Sequence, residues 1–138
     1  MNEEREPRLF AYEKLRVWND ARVLVGEVYA LTRGFPKSEL FGLAAQLNRA
    51  VVSVACNLAE GSARTSAKDQ AHFSQLSYSS LMEVSCLLTI CSDLKFIDNS
   101  LLSPLRTSLA DLSARIHKLR HSQLSRSESS SSTRAQPA

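Results

Sequence analysis

Apolar residues recur along most of this chain at alternating steps of three and four, the spacing that lines up side chains on one face of an α-helix. Four runs carry the period. From Glu13 to Thr32, Val17, Ala21, Leu24, Val28 and Leu31 form one stripe, with Leu15, Trp18, Val25 and Tyr29 forming a second beside it, interrupted by Arg22. The second run, from about Lys37 to Glu60, repeats Leu40, Ala44, Leu47, Val51, Val54 and Leu58. Phe73, Leu76, Ser77, Leu81, Val84, Leu88 and Cys91 define the third, which starts at Ser66-Ala67-Lys68-Asp69 and continues to about Leu94. The fourth places Leu102, Leu105, Leu109, Leu112, Ile116 and Leu119 on an unbroken heptad seam, the strongest periodic signal in the chain.

Breakers separate the runs. Gly34 and Pro36 end the first and open the second, where Ser38 can cap. Gly61 stands where a left-handed residue is expected to close it. Ser66, with Asp69 three residues on, resembles a capping box, and Asp98 or Asn99 is the next cap. Pro104 falls in the first turns of the fourth helix, where it is tolerated. Helices of roughly 20 residues joined by short turns predict an all-α fold, an antiparallel up-down-up-down four-helix bundle. Residues 12–122 make the bundle. Residues 1–11 read as a flexible N-terminal arm and 123–138, rich in serine, as a disordered tail.

The second helix has three faces. Besides its apolar stripe, Gln46, Arg49, Ser53, Asn57 and Glu60 fall on a polar line about 140° away. Ala45, Val52, Ala55 and Ala59 form a third face, apolar but built of small side chains. Two readings follow: a helix buried on two sides of one bundle, or one with a core side, a subunit-contact side and a polar line. The second makes Trp18, Tyr29, Val52 and Ala55 contacts between copies in a homo-oligomer. Buried or interfacial polar groups must find partners. Gln46, Arg49, Asn57 and Glu60, with Arg64 in reach of Glu60 if the helix persists, therefore either stitch helices or subunits together or line an opening that receives a ligand.

Composition narrows the chemistry. The 138 residues are 43% apolar and 22% charged, with four glycines and four prolines, which suits one helical domain. No run nears the ~20 apolar residues that span a bilayer, and the charged residues 1–16 lack the apolar core of a signal peptide. A cytoplasmic protein with no membrane partner is expected. Cys56, Cys86 and Cys91 have no metal-ligand spacing and sit in apolar patterns, as small core hydrophobes in a reducing compartment. His117 and His121 share a helix face but lack a third ligand, and His72 is remote, so no catalytic triad and no metal site can be assembled. Neither GxGxxG nor GxxxxGK occurs. No enzyme and no cofactor is expected.

The net charge is +3. The fourth helix supplies Arg106, Arg115, Lys118 and Arg120 against Asp111 alone, with Asp111 and Arg115 spaced to pair. Such a helix is ordinarily a solvated face. Repeated around an oligomer it becomes a surface able to hold RNA or DNA backbones independently of sequence.

From Tyr12 to Asp98 the chain resembles a bacterial family, the four-helix bundle proteins or 23S rRNA intervening-sequence proteins. The resemblance rests on LRVWNDA, on LTRGFPKSELFGLAAQLNRAVVSVACNLAEG and on SYSSLMEV. It implies a left-handed four-helix bundle assembled into a homopentameric ring, of uncharacterised cellular role. A structural relative is the accessory protein of diversity-generating retroelements, a pentamer that binds a reverse transcriptase and nucleic acid. Asn48 stands where the family often has a second basic residue before Arg49, which weakens a nucleic-acid role. Ser62-Ala63-Arg64 replaces the commoner glycine-containing turn.

Overall fold

The computed structural model describes Pro7 and residues 9–134. Expectations for residues 1–6, 8 and 135–138 lie outside the described residues. A single 3₁₀ turn, Ala11–Lys14, leads into α1 (Arg16–Thr32). A second, Lys37–Glu39, precedes α2 (Leu43–Ser62), followed by α3 (Ala67–Asp93) and α4 (Asn99–Arg134). No strand occurs among the described residues. The four helices pack in sequence, α1 on α2, α2 on α3 and α3 on α4, while α1 touches α4 more lightly. Cross-links at Thr32–Asn48, Ser77–Val54 and Ser74–Gln123 fix the antiparallel order of neighbours.

The core is the set of stripes the period picks out. Leu47, Val51, Val54, Leu81, Val84, Leu88 and Ile116 are fully buried, with Ala21 and Val28 beside them. The fourth-helix seam closes the far side through Leu102, Leu105, Leu109 and Leu112. Three stripe members depart and stand exposed: Tyr29, Leu40 and Leu76. Leu40 is exposed, because α2 begins at Leu43 and residues 40–42 form a turn outside its period. The helix start is held by Glu39 and not Ser38: its carboxylate accepts from the Leu43 N–H at 3.1 Å. Gly42 permits this approach, since a Cβ there would stand 2.7 Å from the same oxygen.

Helix ends differ from the glycine rule. Gly61 is not left-handed; α2 runs through it to Ser62, and Gly61 lies against Phe73, where an added Cβ would meet the Phe73 Cβ at 2.8 Å. Its absent side chain lets α2 and α3 approach. Among the described residues the left-handed one is Lys95, φ 63°. Phe96 N–H donates to Cys91 O and Lys95 N–H to Ser92 O, both at 2.9 Å, which is the Schellman closure of a helix. Ser66 caps α3 as expected, accepting from the Asp69 N–H at 3.1 Å.

The serine-rich segment corrects the expectation of a disordered tail beginning at residue 123. α4 continues through it to Arg134. Extending an existing helix requires no new nucleus, and two contacts tie the extension to α3. Gln123 is buried and accepts from Ser74 Oγ at 2.7 Å, and Arg126 donates to Gln70 Oε1 at 3.3 Å.

Candidate functional site

The polar line of α2 does not form one site. Gln46 donates weakly to Glu83 across α3, at 3.5 Å. Ser53 bonds Ser80 at 2.9 Å, and Asn57 folds back onto the Ser53 carbonyl and hydroxyl. Gln46 and Ser53 stitch α2 to α3, while Asn57 bonds only within α2. Arg49 and Glu60 lie further round the helix, exposed, and neither is in an ion pair among the described residues. Arg64 does not reach Glu60; its guanidinium lies 4.5 Å over the Phe73 ring.

Arg49 instead borders an apolar groove of about 660 Å³ between the end of α1 and the start of α2. Tyr29, Leu40, Phe41, Ala45 and Val52 form its apolar walls. Phe41 is 92% exposed and Leu40 60%, which in water leaves two large apolar side chains uncovered side by side. Their position follows from the break before α2: the turn between Glu39 and Leu43 carries both outward. Of the contact residues expected from sequence, Tyr29 and Val52 line this groove. Ala55 and Trp18 are partly buried against the core, Trp18 beneath the edge of Tyr12 at 4.8 Å and with Arg22 5.7 Å from its ring. Phe41 was not singled out by periodicity. Its signal lay in the breakers around it, Pro36 and Gly42, which release an aromatic residue from any stripe.

The basic residues of α4 are not gathered on one face. At about 100° per residue, Arg106 and Arg120 lie within about 40° of each other and Arg115 and Lys118 turn away from them. Arg115 is bound in the fold, donating to Asp20 of α1 at 2.7 Å. That replaces the expected pairing with Asp111. Arg120 is half-buried and its Nε has no partner, so exposed Arg106 and Lys118 remain.

Cysteines and histidines stand apart. Cys91 is buried, and burial first, then the carboxylate of Glu39, pushes its thiol up. Cys56 and Cys86 are exposed, which corrects the expectation that all three fill the core. His72 lies against Phe73 and His117 near Tyr78. Among the described residues no group of His, Cys, Asp and Glu could hold a metal ion, and no helix is long and apolar enough to cross a membrane.

Fold and surface together define an all-α bundle protein whose conspicuous feature is an uncovered apolar groove. Residues 13–118 match the family model of the 23S rRNA-intervening sequence proteins, and the chain belongs to that family. No curated protein matches the chain.

Proposed function

We propose that this protein is a non-enzymatic scaffold that assembles with copies of itself through the groove between α1 and α2. The observation that carries this reading is Phe41, almost fully exposed beside Leu40 and Tyr29. Covering such a patch returns about 25 cal/mol per Å² of apolar surface, so a neighbour that fits the groove is held there. A closed ring uses one groove per copy; the family resemblance supports a ring of five copies, which we assign to the cytoplasm. Light scattering on the full chain tests this. The expected result is a mass near five times that of the chain, falling to one copy for Phe41→Asp with helicity unchanged by circular dichroism. A wild-type monomer at micromolar concentration overturns it.

A second reading, contact with RNA or DNA, draws on Arg106 and Lys118, exposed and without a carboxylate partner among the described residues. In a ring these charges repeat, and a phosphate backbone could meet several at once. Filter binding of structured RNA or duplex DNA at low salt is expected to weaken steeply as salt rises and to be lost in Arg106→Glu/Lys118→Glu. No retention at low salt removes this reading and leaves the scaffold.

A further inference from the structure

At the end of the bundle opposite the groove, a half-enclosed cavity of about 210 Å³ lies where the start of α1, the end of α2, the start of α3 and late α4 converge. Leu15, Leu58 and Leu119 give it apolar walls, and Gln70, Gln123 and Arg126 bring polar groups to it. Its place in the pattern is unusual. The heptad seam of α4 steps from Leu119 by four to Gln123, so an amide occupies a position where the preceding six are Leu or Ile. Gln123 is only 7% exposed. Its Oε1 is satisfied by the Ser74 hydroxyl, but its amide nitrogen has no partner among the described residues. Arg126 is similarly under-used. It makes one long bond to the neutral Gln70 amide, at 3.3 Å, and no carboxylate lies within 4.0 Å of it among the described residues.

An amide donor open to the cavity and an exposed guanidinium beside leucine walls suit one ligand chemistry. A carboxylate oxygen accepts from both, and a charge-assisted bond to arginine is about twice as strong as a neutral one. The space is about seven times the ~30 Å³ share of one water, below the size of most drug-like sites. We propose that this cavity binds a small carboxylate with a short aliphatic tail. Its oxygens accept from Arg126 and the Gln123 amide, and its tail rests on Leu15, Leu58 and Leu119. The site is separate from the α1/α2 groove, so it stands or falls independently of assembly.

The test is an NMR titration of the full chain at constant pH and ionic strength, with isovalerate and its uncharged isostere isovaleramide as probes. Isovalerate is expected to give saturable shifts at the side-chain amides of Gln123 and Gln70, with isovaleramide binding about tenfold more weakly for want of the charge-assisted bond. Arg126→Gln should weaken isovalerate by about the same factor, Arg126→Lys should weaken it less, and Phe41→Asp should leave it unchanged. Equal binding of the two probes, or shifts that do not saturate, overturns the proposal even if a variant fails to fold. Undiminished isovalerate binding by a folded Arg126→Gln also overturns it. Gln123 would then serve only to lock α4 against Ser74.

Discussion

Lys95 takes the left-handed conformation that costs a residue with a Cβ roughly 1–2 kcal/mol. Lys95→Gly is therefore expected to stabilise the protein by about 1 kcal/mol in urea unfolding, since glycine closes the same Schellman turn without that cost. Two glycines give an opposed pair. Gly26 lies mid-α1 with nothing within 4 Å of an added Cβ, so Gly26→Ala should raise stability by about 0.5–1 kcal/mol through reduced chain entropy. At Gly61 the same change meets Phe73 Cβ at 2.8 Å, and overpacking of about 1–3 kcal/mol outweighs the helical gain. Gly61→Ala should lower the urea midpoint. Spotting glycine was possible from sequence; telling which one faces another helix was not, because that depends on how α2 and α3 meet.

At the scale of elements, the fourth helix shows where periodicity stops being informative. The seam through Leu119 is plain in the sequence, but its continuation at Gln123 is polar, so the pattern ends before the helix does. Ser74, 49 residues away, gives Gln123 its partner. Backbone amides of residues 124–126 are expected to be protected in hydrogen–deuterium exchange, and Ser74→Ala to lower that protection. Residue charges mislead in a related way. Arg115 looked like part of a basic surface and instead bridges α4 to α1 through Asp20. Both partners are about a third exposed, so the bridge contributes under about 1 kcal/mol. Arg115→Gln should cost no more than that in urea unfolding, and less at high salt.

For the whole molecule, stability rests on the shared core. Leu81 is fully buried, and Leu81→Ala should cost about 2–5 kcal/mol, read as a fall in urea midpoint. Cys91 couples that core to pH. Its thiol is raised above the ordinary 9.0 by burial and by Glu39, so the folded state holds the proton longer than the unfolded chain. Stability is then unaffected below 9.0 and declines as pH rises beyond it, because the unfolded chain ionises first. A thiol reagent should modify exposed Cys86 in the native protein and Cys91 only on unfolding.

The sequence by itself determined the helices, their order and the stripes that meet in the core, because a 3.6-residue period is a property of the chain alone and short connections force antiparallel neighbours. It carried the family too. Only the tertiary structure decided which charged and polar residues find partners: Arg115 with Asp20, Gln123 with Ser74, Ser53 with Ser80. It also decided which apolar residues stay uncovered, Phe41 and Leu40 above all. Those outcomes depend on distances between segments far apart in the chain, which no local spacing records.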